Sequence, residues 1–195
     1  HYRDRRQRQM CIRDRKKILS AKILIVGVGG LGCPAAENLT RAGVGSIGLV
    51  DNDTVNISNI HRQSLFSSKD IKKTKVSVAA KKLKDINPDA IIKTYNTRLN
   101  EKNIKKIIKN YDLIIDGSDN FKTKFLINDY CLKFKKKLVT GAISKFDGHV
   151  FTFDFKDKKT ASLKNFYQED NISDDVLNCE FEGVLGTTAS VVGAT

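Results

Sequence analysis

Short apolar runs alternate with helical patterns along most of this chain. Residues 22–27 read as a buried strand. Residues 31–42 read as a helix that tolerates Pro34 in its first turn, with Gly43 where a C-terminal cap belongs. Residues 46–50 form a second strand, and 53–68 are polar and irregular, rich in Asn and Ser. A helix over about 74–86 carries Val76, Ala79, Ala80 and Leu83 at helical spacing and ends at Asn87-Pro88. The pattern continues with a strand at 90–95, an amphipathic helix at 101–109, a strand at 112–116, a helix at 121–134 and a strand at 137–140. The alternating stretch 148–155 suits a sheet edge, 156–178 is a charged linker, and 184–194 is apolar and helix-like. Strands alternating with helices predict an α/β fold. Its sheet is doubly wound, mostly parallel and Rossmann-like, with helices on both faces and a ligand crevice beyond the strand carboxyl ends.

The first strand runs directly into Gly27-x-Gly29-Gly30-x-Gly32 and then into a helix. Such a junction holds phosphate over backbone amides: Gly27 permits the tight turn, Gly29 allows close approach, and Gly32 lets helix and strand pack. Asp51 follows the second strand, 19 residues after Gly32, where a carboxylate can accept from ribose hydroxyls. The expectation is a nucleotide-binding domain.

Composition adjusts this picture at the ends of the chain. With 195 residues the chain can bury one substantial core. The net charge of +13 raises a nucleic-acid reading, but six of the nine arginines lie in residues 1–15, and the rest of the chain is lysine-rich. That usage break, without a helical or strand period, sets residues 1–15 apart as a disordered or non-native segment, leaving 16–195 as the nucleotide-binding domain. Lysine runs such as 102–109 read as solvated helix faces, and no DNA- or RNA-binding motif is present. The apolar end at Thr195, without a polar exit, reads as a domain incomplete at its C-terminus. No apolar run reaches membrane-spanning length. Cys11, Cys33, Cys131 and Cys179 contain no CxxC pair, which fits a reduced, cytoplasmic protein.

Four groups fall at strand ends: the glycine loop; Asp51-Asn-Asp53 with Asn59, Arg62 and Gln63; Lys75 at a helix start; and Asp116-Gly-Ser-Asp119-Asn120. A dehydrogenase needs the loop and the ribose acid but has no use for an added Arg, Lys and Asp around phosphate. A reaction that cleaves a triphosphate does: the cations neutralise a pyrophosphate leaving group, and an Asp can hold bridging magnesium. The chemistry inferred is attack of a carboxylate on the α-phosphorus of ATP, releasing pyrophosphate, with the protein supplying position and charge.

These motifs resemble the MoeB/ThiF (HesA-like) family of ubiquitin-activating-enzyme-like adenylyltransferases. The likeness rests on GxGGLG at 27–32, D-x-D-x-V-x-x-S-N-x-x-R-Q at 51–63, Lys75, D-x-x-D-N at 116–120, Asn128-Asp129, and Cys-x-x-x-Gly-Val-x-Gly at 179–186. The resemblance implies that Asp51 holds the ribose and that Asn59, Arg62 and Lys75 meet the phosphates. It also implies that Gln63 supports them and that Asp119 serves Mg2+. The implied substrate is the C-terminal Gly-Gly carboxylate of a ubiquitin-like sulfur-carrier protein, activated for molybdenum-cofactor or thiamine biosynthesis by a homodimer. Family members reach the partner's site with an N-terminal Arg, and residues 1–15 nominate none. Zinc-binding members carry a CxxC where this chain has Ser162-Leu-Lys-Asn165, so zinc is not expected.

Blander readings stand beside these. Arg62 and Lys75 could be surface charges, Asp119 could cap the helix starting near Phe121, and Cys33 could simply be packed. His61 is a loop residue. Cys179 is either a small buried hydrophobe or, as in ThiF-type members, a thiol acceptor for the carrier. The rival functions are a tRNA threonylcarbamoyladenosine dehydratase of the same superfamily and an NAD-dependent oxidoreductase.

Overall fold

The computed structural model describes residues 12–157, 159–167 and 185–195. Strands β1 (Lys22–Val26), β2 (Ser46–Val50) and β4 (Leu113–Asp116) are nearly unbroken apolar runs because both faces of the sheet are covered. On β1, Leu24 and Val26 enter one core with Ile107, Ile114 and Phe125. Ile23 and Ile25 enter the other, with Ile47, Leu49, Val76 and Leu83. Each such fully buried aliphatic side chain contributes about 1.5–3 kcal/mol relative to exposure.

Six strands run in the order β3-β2-β1-β4-β5-β6, with β3 at Ile91–Tyr95, β5 at Lys137–Ser144 and β6 at Asp147–Asp154. The first five are parallel and β6 is antiparallel at the edge. Helices α2 (Gly32–Ala42), α3 (Lys75–Ile86), α4 (Ile104–Ile108) and α5 (Phe121–Lys133) are the crossovers. The order reverses between β1 and β4, and a crevice opens at such a switch point. Register decides what meets there. Val26 pairs with Val50 on one side and Asp116 on the other, so Gly27, Asp51 and Gly117 leave the sheet side by side.

The expected elements are present with shifted ends. α2 is closed by Gly43 at φ 90°, whose N–H reaches the Leu39 and Thr40 carbonyls. β5 continues to Ser144, four residues beyond the predicted strand, because β6 pairs with it along its whole length. The apolar end of the chain is helix α6 (Gly186–Ala194), with Ala189 buried and Gly193 lying on the Leu31 carbonyl. In 156–178, a 3₁₀ turn at Leu163–Asn165 is tied down by Asn128, whose Oδ1 accepts from Leu163 N at 3.0 Å, and by Asp129, paired with Lys164 at 2.9 Å.

One reading needs correction. Residues 12–15 lack an apolar period in sequence, yet helix α1 spans Ile12–Ser20. It is held from its far end, where Ile18 packs on the core and accepts from Ala21 N and Gly45 N.

Candidate functional site

The loops after β1, β2, β3 and β4 enclose a cleft of about 350 Å³. Gly27, Gly29, Gly30, Asp51, Asp53, Asn59, Arg62, Gln63, Lys75, Asp119 and Asn120 all line it. Gly32 lies beneath it, where a Cβ would strike the Gly27 carbonyl and part α2 from β1. Cys179 lies outside the described residues.

Gly27 has φ 84°, and a Cβ there would sit 2.7 Å from the Gly117 carbonyl oxygen, so two cleft loops touch backbone to backbone. Gly29 differs. Its backbone is ordinary, and the nearest group to a Cβ would be the Gln63 side-chain nitrogen, 3.9 Å away. Among the described residues nothing comes closer than that to the space over Gly29.

Asp51 joins the first two loops: Oδ2 accepts from Val28 N at 2.7 Å and Oδ1 from Asp53 N at 2.8 Å. Burial pushes its carboxyl above the ordinary value, against the pull of the Lys75 ammonium. Lys75 opens α3, and its backbone N–H donates to the Asp53 carbonyl at 3.0 Å. Its buried ammonium is 2.9 Å from Asp53 Oδ2. A surface charge would not be enclosed in this way. The Thr54–Thr74 bridge brings the two segments together.

The 3₁₀ turn Ile57–Asn59 is capped by Asn56, whose Oδ1 accepts from Ser58 N at 3.0 Å. Arg62 then folds back on this turn: Nη2 donates to Asn59 Oδ1 at 2.9 Å and Nη1 to the Ser58 carbonyl at 3.3 Å. Its stem passes beside Gly30. Gln63 is buried, and its Oε1 has no hydrogen-bond partner among the described residues. An acceptor left so costs about 1–3 kcal/mol unless a ligand or water meets it.

Asp119 is exposed to the cleft, with Oδ1 accepting from Asn120 Nδ2 at 3.1 Å. The helix cap suggested for Asp119 belongs instead to Asn120, whose Oδ1 accepts from Thr123 N at 2.9 Å. Among the described residues no three His, Cys, Asp or Glu side chains gather as a metal site. One carboxylate facing an open cleft still suits magnesium, which takes one or two carboxylates together with substrate phosphates. The open space at Gly29 and the flanking cations likewise suit a triphosphate, whereas the orphaned Gln63 oxygen, an acceptor, calls for a donor such as water or a ligand hydroxyl.

Cys33 is packed, as its position allowed: burial pushes its thiol up to about 12, too high for a nucleophile at neutral pH. His61 is exposed in its loop. Thr97, Arg98 and Leu99, after β3, also line the cleft and were not singled out from the sequence. The signal for Arg98 was its rarity, since only three arginines lie beyond residue 15. No described helix is long and apolar enough to cross a membrane.

The ThiF family model matches residues 2–195. A probable molybdopterin-synthase adenylyltransferase of Porphyra purpurea is 40% identical over 95% of this chain and 48% of its own length. A sulfur carrier protein adenylyltransferase of Thermus thermophilus is 36% identical over 98% of this chain and 73% of its own. Among solved structures, the E. coli tRNA N6-threonylcarbamoyladenosine dehydratase in complex with ATP superposes with a TM-score of 0.70. It is 28% identical and covers 74% of this chain and 60% of that one. The chain spans about half the length of the molybdopterin-synthase adenylyltransferases it matches.

Proposed function

The chain belongs to the ThiF family, and on that premise we propose that it is an ATP-dependent adenylyltransferase. Its substrate is the C-terminal glycine carboxylate of a ubiquitin-like sulfur-carrier protein ending in Gly-Gly. The names of its relatives favour the molybdenum-cofactor branch over thiamine biosynthesis. The observation that carries the reading is the gathering of Asp51, Arg62, Lys75 and Asp119 around the vacant space at Gly29.

In this reading ribose hydroxyls donate to Asp51, and the phosphates lie over the amides at Gly29 and Gly30. The carrier carboxylate attacks the α-phosphorus, the bond to the bridging oxygen breaks, and pyrophosphate leaves with the electron pair. Arg62, steadied by Asn59 and the Ser58 carbonyl, and Lys75, turned from Asp53 to phosphate, balance the charge on the leaving group. Magnesium, held by Asp119, supplies further neutralisation of the phosphate oxygens when bound. No side-chain nucleophile takes part in this step. Cys179 is left to a later sulfur-transfer step. The enzyme works in the cytoplasm as a homodimer.

The test is ATP–pyrophosphate exchange. Exchange that requires a Gly-Gly-tailed carrier supports the reading. Exchange driven by threonylcarbamoyladenosine-containing tRNA instead would transfer the chain to the dehydratase branch. Tighter binding of NADH than of ATP would make it an oxidoreductase.

A further inference from the structure

Beneath the cleft lies an ion pair that the proposed reaction does not use. Asp116 ends β4 with its carboxylate 1% exposed. Oδ1 accepts from Ser118 N at 2.9 Å and Ser118 Oγ at 2.6 Å. Oδ2 accepts from Thr140 Oγ1 at 2.6 Å and Lys124 Nζ at 3.3 Å. Lys124, on α5, also donates to the Gly141 carbonyl at 2.6 Å, and its own side chain is 5% exposed. Lys122 and Lys133 of the same helix are exposed, so this one lysine has been drawn inward.

The location explains why. The last β4–β5 pair is Asp116 with Thr140, after which β4 turns away while β5 runs on with β6 alone. Gly141 is the first β5 residue without a β4 partner, and the Lys124 ammonium supplies a donor to its carbonyl. The same ammonium neutralises Asp116, and Asp116 in turn ties down Ser118. The turn that follows, Gly117–Asn120, is therefore anchored at Ser118 by Asp116 and at Asn120 by its cap on α5. Its backbone at Gly117 abuts Gly27. Asp119 is the one carboxylate this turn presents to the cleft.

We infer that Lys124 is a positioning residue for the nucleotide-bound metal: through Asp116 and Gly141 it fixes the turn that aims Asp119. This rests on the reading of Asp119 given above. A supporting residue of this kind moves metal affinity and turnover about 10–100-fold when lost, without contacting substrate.

The experiment measures the affinity of a fluorescent ATP analogue in EDTA and across a magnesium titration, together with kcat and KM for carrier-dependent exchange. Lys124→Met is expected to bind the metal-free nucleotide as the unmodified protein does. Its half-saturating magnesium concentration should rise, and its kcat fall, by about tenfold or more. Lys124→Arg should restore both, because a guanidinium can still reach Asp116 and the Gly141 carbonyl. An unchanged magnesium dependence in a folded Lys124→Met protein overturns the inference. So does an equal loss of affinity with and without the metal, which would mean a general structural role. Should Lys124→Met not fold, Thr140→Val takes its place. It removes one donor to Asp116 and keeps both charges, and an unshifted magnesium titration there is equally fatal. If the unmodified protein shows magnesium-dependent nucleotide binding but no carrier-dependent exchange, the proposed reaction fails while the titration still decides the role of Lys124. No magnesium dependence at all removes both.

Discussion

The buried ammonium of Lys75 lies 2.9 Å from Asp53 Oδ2, in a pair whose lysine side chain is 6% exposed and whose aspartate is 58% exposed. The asymmetry sets a buried ammonium at the wall of the cleft against a solvated partner, one that phosphate could replace in the proposed reaction. Removing Asp53 leaves the lysine without its counter-ion. Asp53→Ala should cost about 1–3 kcal/mol of stability, because it strips a buried ammonium of its acceptor. ATP should then raise the melting temperature of Asp53→Ala more than that of the unmodified protein. Equal gains in a thermal-shift assay would mean that phosphate never reaches Lys75.

Lys75→Met should fold, since it replaces a buried ammonium with an apolar chain of similar length, and should bind ATP at least about tenfold more weakly. Titration calorimetry reads this directly. Undiminished affinity would return Lys75 to a purely structural part.

The two glycines of the loop should respond in opposite ways. Gly27→Ala meets both a left-handed backbone and the Gly117 carbonyl, so the fold should lose about 1–3 kcal/mol or more. Gly29→Ala meets nothing closer than 3.9 Å among the described residues and should stay within about 0.5 kcal/mol of the original stability. It should nevertheless lose most ATP affinity, because its methyl group occupies the space assigned to phosphate. Denaturation curves and ATP titration of the pair distinguish a loop built for packing from one built for a ligand.

Asp119 and Asn120 are neighbours with separate tasks. Asn120→Ala removes the α5 cap and should cost about 1 kcal/mol. Asp119→Ala should leave the melting temperature almost unchanged and abolish carrier-dependent exchange. A reversed pattern, with Asp119→Ala destabilised and still active, would show that the roles are exchanged.

In the proposed reading, in which ribose hydroxyls donate to Asp51, this residue links nucleotide binding to pH. Burial raises its carboxyl above 3.8, the ordinary value, so it is protonated more readily folded than unfolded. The sign follows: this group favours the folded state most below 3.8, and that contribution declines as pH rises through the ordinary and then the raised value. Nucleotide affinity runs the other way, since the ribose hydroxyls need the carboxylate. ATP affinity should therefore fall on acidification with a midpoint above that of free aspartate, and Asp51→Asn should be weak and flat with pH. An affinity profile in which Asp51→Asn still titrates would assign the proton to another group.

Several features were readable before any coordinates. β1, β2 and β4 are covered on both faces and so appear as plain apolar runs, and the glycine turn and Asp51 follow from local backbone demands. Helix α1 was not legible, because its order comes from Ile18 and Gly45 contacts at one end and not from a repeating face. The extension of β5 depends on β6 pairing. Lys124 looks like any other lysine in a lysine-rich helix until Asp116 arrives beneath it.

The sequence by itself determined that a glycine turn, Asp51 and a set of cations would lie at strand ends, since strand alternation and glycine spacing are local properties. Only the tertiary structure decided the ion pairs: Lys75 with Asp53, and Lys124, which the sequence does not single out, with Asp116. Pairing across 22 or 8 positions is a matter of register and burial. Those arise when separate elements meet at the switch point, where Val26 is flanked by both Val50 and Asp116.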